Sequence, residues 1–320
     1  MALKRAPAPA SAERRGGGEP LATVARVDFG SCTLLGDAGE VREVPVRARL
    51  MGPRKSLGNA VVVGDRVRCE GEGAAAAIAE VLPRRNTFSR RAAGERPVEQ
   101  VVAANLDQVV LVASVAEPEF RAGFADRVLA QAEHAGLPAR LVINKADLDR
   151  ERVAAAVLED YAAAGYPVHP TCARTGEGVE ALRHACHGRR SLFLGQSGVG
   201  KSTLLNALAP ALALTEGMVN AKTGKGRHTT TAAWLLFPEP GLELIDTPGM
   251  RAFSLWGIGA RDLEQAYPEF RALLGACRFT DCHHDAEPGC ALREAVEAGA
   301  VRARRYESFL RLRAELGASG

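Results

Sequence analysis

Hydrophobic and polar positions change rhythm twice along this chain. Between Leu21 and Pro83 apolar residues come in short runs, ATVARVDFG, EVPVRARL and VVVGDRVRCE, broken by glycine-containing turns. Alternation without helical spacing predicts short strands, and several of them predict a small β-barrel or sandwich. GEGAAAAIAEVL fits a last strand or a short helix, and its length favours the strand. PRRNTFSRRAAGERP follows, with proline at both ends and five arginines, and 84–104 reads as a linker.

At Asn105 the character changes. LDQVVLVASV is one continuous apolar run, as in a strand covered on both faces. Phe124, Val128, Leu129 and Ala132 then recur at helical spacing, RLVIN reads as a strand, and Val153, Val157, Leu158 and Tyr161 mark a second helix. YPVHPT, EGVEALRHAC and SLFLG continue the alternation as strand, helix and strand. Such alternation predicts an α/β unit with a parallel sheet over 105–254. From 255 to 320 the chain reads as helical, with an apolar face at Leu292, Val296, Tyr306 and Leu310.

Composition narrows the class. The 320 residues are 47% hydrophobic and 25% charged, with a net charge of only +3. Whole-chain charge therefore argues little for nucleic acid; any such case rests on local clusters such as Arg84, Arg85, Arg90 and Arg91, or Arg302, Arg304, Arg305, Arg311 and Arg313. No apolar run is long enough for a membrane span. Residues 1–20 are basic and rich in Ala, Pro and Gly, without the apolar centre of a secretory signal, and are expected to form a disordered tail. Seven cysteines, an odd number, favour a reducing cytoplasm over a disulfide framework.

The chemistry begins at Gly195-Gln196-Ser197-Gly198-Val199-Gly200-Lys201-Ser202, which follows an apolar strand and opens a helix. Glycines let backbone N–H groups turn around phosphate oxygens, and the helix start adds its positive end. Lys201 is expected at the β- and γ-phosphates, Ser202 on Mg²⁺, and Thr203 against phosphate. Asn144-Lys145-Ala146-Asp147 closes the strand LVIN. A carboxylate at Asp147 matches the N–H pair of guanine, whereas adenine would leave it unpaired. Alone this tetrapeptide could cap a helix; beside a phosphate loop the guanine reading is the stronger. TCARTG, after the next strand, resembles the Ser-Ala-Lys loop of GTPases, and the resemblance implies that Cys172 and Ala173 support the base through backbone N–H groups.

LELIDTPGM supplies Asp246 for Mg²⁺ and Gly249 for the γ-phosphate. The upstream loop GKGRHTTT offers Thr230 to close over Mg²⁺. Met250 stands where a water-orienting glutamine is common, and a thioether cannot do that work. His228 is the available substitute, although an exposed loop histidine explains it equally well.

The order of these parts, base reader before phosphate loop before switches, is a circular permutation of the usual GTPase. With RRNTFSR, NKAD, GQSGVGKST, GRHTTT, DTPG and CRFTDCHHDAEPGC, the chain resembles the RsgA-type small ribosomal subunit biogenesis GTPases over nearly its whole length after the tail. The resemblance implies an OB-fold β-barrel over 21–83, a circularly permuted P-loop GTPase domain over 105–254 and a helical zinc-binding domain over 255–320. It also implies a cytoplasmic enzyme that binds GTP and GDP and contacts rRNA of the small subunit; a monomer is expected. Cys277, Cys282, His284 and Cys290 offer three thiolates and one imidazole within fourteen residues, a set suited to one structural, tetrahedral Zn²⁺. The family spacing favours His284 over His283 as the ligand.

Overall fold

The computed structural model describes residues 21–28, 31–37, 39–47, 50, 59–71, 75–94, 97–149, 153–210 and 233–318. The expected tail, His228 and Thr230 lie outside the described residues.

The first five strands are β1 (Leu21–Val27), β2 (Ser31–Gly36), β3 (Val41–Pro45), β4 (Arg66–Glu70) and β5 (Ala77–Val81). They run antiparallel in the order β3-β2-β1-β4-β5, and a parallel bridge between Val46 and Ile78 brings the two ends together. Alternation sends Cys32, Leu34, Val67, Cys69 and Ile78 into one core.

Residues 84–104, expected as a linker, instead carry a hairpin of β6 (Thr87–Arg91) and β7 (Glu99–Ala104). Phe88 and Ala103 are buried among the α/β core residues, and the Phe88 ring lies 5.7 Å from that of Phe253. Phe88 and Ser89 are both buried where the register of the hairpin is irregular, so β6 carries no two-residue alternation for the sequence to show.

The α/β unit follows as β8 (Gln108–Ser114), α1 (Ala122–His134), β9 (Ala139–Asn144), α2 (Val153–Ala163), β10 (Val168–Pro170), α3 (Val179–Cys186), β11 (Arg189–Gly195), α4 (Lys201–Leu208), β12 (Trp234–Glu239) and β13 (Leu242–Asp246). Its strands lie in the order β10-β9-β8-β11-β13-β12, parallel except for β12. Burial on both faces of β8 and β11 explains their unbroken apolar runs. β12 pairs antiparallel with β1 at Trp234 and Arg26, so the N-terminal strands continue the sheet. The Arg26 guanidinium also lies 4.2 Å from the Trp234 ring centroid.

Beyond β13 come two short 3-10 turns, Leu263–Ala266 and Pro268–Leu273, then α5 (Ala291–Glu297) and α6 (Ala303–Ala318). The inward face of α6 is not quite the one expected. Arg305, Ser308, Phe309 and Leu312 are buried, while Tyr306 and Leu310 flank them half-buried. Phe309 meets Tyr267 and Phe270 edge to face, at 5.4 and 5.1 Å between ring centroids. Arg305 therefore leaves the basic cluster: it is enclosed between Asp126 of α1 and Glu269 of the second turn. Among the described residues no helix is long and apolar enough to cross a membrane.

Candidate functional site

Parallel strands deliver their C-terminal ends to one edge of the sheet, and the predicted chemistry collects there. β11 ends at Gly195, and α4 begins at Lys201 after Gly200 in a left-handed conformation (φ 85°). Glycine is needed at 200 for a second reason: a Cβ there would stand 2.5 Å from Asn144 Nδ2. The neighbouring strand β13 ends at Asp246, whose Oδ1 accepts from the Lys201 ammonium; both side chains are buried. Thr247 Oγ1 donates to the Phe193 carbonyl at 2.7 Å, and the Met250 N–H donates to the Gly195 carbonyl at 3.0 Å. Gly249 approaches Ser197 so closely that a Cβ would sit 2.9 Å from its Cα. These contacts clamp the Asp246–Gly249 segment against the phosphate loop. Met250 is buried and turned into the core, consistent with its having no part in orienting water.

Asn144 is 1% exposed and joins three loops. Its Nδ2 donates to the Val199 carbonyl at 3.0 Å, while its Oδ1 accepts from the Ala173 N–H at 3.1 Å and the Thr171 hydroxyl at 3.3 Å. Lys145 takes a left-handed turn (φ 61°), and its ammonium donates to the Glu117 carbonyl. Asp147 sits on the 3-10 turn Ala146–Leu148. Its Oδ1 accepts from the Cys172 thiol at 3.1 Å and its Oδ2 from Arg174 at 2.7 Å. The Cys172 hydrogen bond foremost, and then Arg174, hold the Asp147 carboxyl below the usual carboxylate range. Cys172 thus contributes a side-chain donor, where the sequence suggested only a backbone one. The roles of Thr171, Arg174 and Glu117 were not legible in the sequence, since each depends on loops brought together from distant segments.

The second group lies at the far end of the chain. The donor atoms of Cys277, Cys282, His284 and Cys290 all lie within 4.8 Å of one another. His284 Nδ1 is 3.5 Å from Cys277 Sγ and 3.4 Å from Cys290 Sγ, and the two sulfurs are 4.0 Å apart. Those separations suit the edges of a tetrahedron with metal–sulfur bonds of about 2.3 Å and a metal–nitrogen bond of about 2.0 Å. His284 Nε2 faces away, 2.9 Å from Glu264 Oε2, so a carboxylate orients the ring. His283 is outside the group; its carbonyl and Nδ1 meet Arg313.

The RsgA GTPase family profile matches residues 81–256, more than half of the chain. This chain belongs to the RsgA GTPase family. It is therefore a GTP hydrolase, with its GTPase parts in circularly permuted order. The small ribosomal subunit biogenesis GTPase RsgA of Gemmatimonas aurantiaca is 51% identical over 260 residues, covering 80% of this chain and 84% of that one. The protein of the same name from Azotobacter vinelandii is 44% identical over 284 residues, covering 87% and 79%. The crystal structure of YjeQ from Thermotoga maritima superimposes with a TM-score of 0.72 at 34% identity, covering 93% of this chain and 98% of that one. YloQ, a circularly permuted GTPase, gives 0.70 at 26% identity, covering 97% and 99%. Like this family, the chain joins a sheet-rich N-terminal region to a GTPase unit and a C-terminal Cys/His cluster.

Proposed function

We propose that this protein binds the small ribosomal subunit and hydrolyses GTP late in the subunit's maturation. The observation that carries the reading is the convergence at Asn144: one buried amide ties the guanine-reading loop to the phosphate loop and to the TCARTG loop. Relatives whose names state small ribosomal subunit biogenesis, matched over most of their length, supply the partner.

In this reading 21–83 is an OB-fold barrel, 105–254 the GTPase domain and 255–320 a helical zinc-binding domain. The order β3-β2-β1-β4-β5, closed by the Val46–Ile78 bridge, supports the barrel. The backbone of Gly195–Gly200, with Gln196, Ser197, Gly198 and Val199, cradles the phosphates, and Lys201 and Thr203 contact them. Asn144 through Asp147 read guanine, and Cys172 and Ala173 support that contact. Ser202, Thr230 and Asp246 are the residues that would hold Mg²⁺, which would supply positive charge to the phosphate. Lys201 and Asp246 pair with each other beside the phosphate loop. Nucleotide entry must part them, freeing the ammonium for phosphate, while Gly249 offers its N–H to the γ-phosphate. His228 is our candidate for positioning the attacking water. Cys277, Cys282, His284 and Cys290 would hold one structural Zn²⁺, organising a region with little regular helix around it. Exposed arginines such as Arg302, Arg304 and Arg311 remain for rRNA, whereas Arg305 does not. We take the working form to be a cytoplasmic monomer.

GTP turnover with and without purified small subunits tests the reading. Strong stimulation supports it, and removal of 255–320 should abolish the stimulation while sparing GTP affinity. A rate indifferent to subunits, with GTP still bound, would favour a nucleotide-regulated RNA-binding protein with another partner.

A further inference from the structure

Ser114 closes β8 directly opposite Asn144 of β9. Its side chain is buried, and its hydroxyl donates to the Pro118 carbonyl at 2.6 Å, which closes the loop through Val115, Ala116 and Glu117. Glu117 is exposed and left-handed (φ 50°), an uncommon conformation for a residue with a side chain. Its carbonyl takes the Lys145 ammonium, and Lys145 is left-handed as well (φ 61°). Two such residues joined by one hydrogen bond persist only where their surroundings fix them, as they do at ligand clamps.

The surroundings here are the phosphate loop. A Cβ on Gly198 would stand 3.4 Å from Pro118 Cδ and 3.9 Å from the Glu117 carbonyl oxygen, and one on Gly200 would stand 3.8 Å from Lys145 Cε. The Lys145 stem therefore runs between Gly200 and Glu117, two residues before Asp147. A nucleotide with its base on Asp147 and its phosphates on Gly195–Gly200 passes beside that stem. Ordering a lysine side chain at the moment of binding costs affinity. In this structure the ammonium is fastened in advance, and the fastening is a backbone carbonyl, so the side chain at 117 does not supply it. What holds that carbonyl in place is the hydroxyl of Ser114.

We propose that Ser114 is a positioning residue for guanine-nucleotide binding. It fixes the Glu117–Pro118 turn, and the turn keeps Lys145 extended along the phosphate loop. Without the hydroxyl the Pro118 carbonyl loses its donor, the turn loosens, and Lys145 is no longer held beside the nucleotide. Bound nucleotide then leaves faster. The proposal rests on the guanine reading of Asn144–Asp147.

Release of a fluorescent GDP analogue from the full chain, chased with excess unlabelled GDP in a stopped-flow instrument, tests it. Ser114→Ala should quicken release about fivefold, the scale of ordering one long side chain. Lys145→Met keeps the stem without the ammonium, and in that background Ser114→Ala should add nothing, a dependence that mere loss of packing would not produce. Ser114→Cys, similar in size but a poorer donor, should fall between the serine and alanine proteins, and it carries the same comparison if Ser114→Ala does not fold. Unchanged release in the Ser114 variants, or an equal increase with Lys145→Met, would overturn the proposal. Asp147→Ala separates it from the reading beneath it: undiminished GDP binding there would withdraw the guanine reading itself. With that binding lost as expected, silent Ser114 variants would withdraw Ser114 alone.

Discussion

Replacing Arg305 with methionine keeps the length of the stem and removes the charge. In the folded chain this guanidinium is 3% exposed, donates to Glu269 Oε1 at 2.7 Å and to Asp126 Oδ1, and lies 4.5 Å from the Tyr267 ring centroid. Burial disfavours its charge, but Asp126 and Glu269 outweigh that and keep it protonated. Loss of one partner from a buried pair costs about 3–5 kcal/mol, because the remaining charge keeps its desolvation penalty. Two carboxylates are abandoned here, while the Tyr161 hydroxyl still donates to Asp126, so about 4 kcal/mol is expected. At about 1.4 kcal/mol per factor of ten, amide exchange in α6 should quicken roughly a thousandfold where it proceeds by local opening. Hydrogen exchange followed residue by residue measures this. Adding Asp126→Asn and Glu269→Gln should recover much of the loss, since neutral amides tolerate the missing cation. A change below about 1 kcal/mol would refute the reasoning, for that is the cost of a solvated surface pair.

Three other substitutions probe the sites. Gly200→Ala should lower GTP affinity at least tenfold, because the new methyl meets Asn144 and the left-handed backbone resists it; equilibrium titration with a fluorescent GTP analogue reads this. Glu264→Gln should weaken zinc about 10–100-fold in chelator competition while leaving the fold intact at saturating zinc. The Asp147 carboxyl titrates below its ordinary range, so its ionised, guanine-accepting form persists as pH falls through that range and is lost only as pH falls through the lowered value. GDP affinity should accordingly stay flat from neutral pH into the ordinary carboxylate range, and Cys172→Ala should move its decline to higher pH. A decline at the same pH in both proteins would remove Cys172 from the account.

How far the sequence reached depended on the range of the interaction. The phosphate loop, the base reader, the Cys/His cluster and most strands of the α/β unit rest on contiguous residues whose spacing is itself the physical requirement. A strand–glycine–helix junction or four donors in fourteen residues can do little else, and the structure brings those residues together. The hairpin at Thr87–Arg91 and Glu99–Ala104 escaped notice because its irregular register buries Phe88 and Ser89 side by side and breaks the alternation, and only packing against Phe253 reveals Phe88 as core. Arg305 looked like one more cation on a basic helix. Its burial is decided by Asp126 and Glu269, 179 and 36 residues away. The Cys172 thiol on Asp147 and the union of β1 with β12 are of the same kind. Local rules determine which backbone conformations and which chemistries a segment offers. Which charge is buried, which donor meets which carboxylate, and which edge a strand completes depend on long-range closure of the chain, which the tertiary structure alone decides.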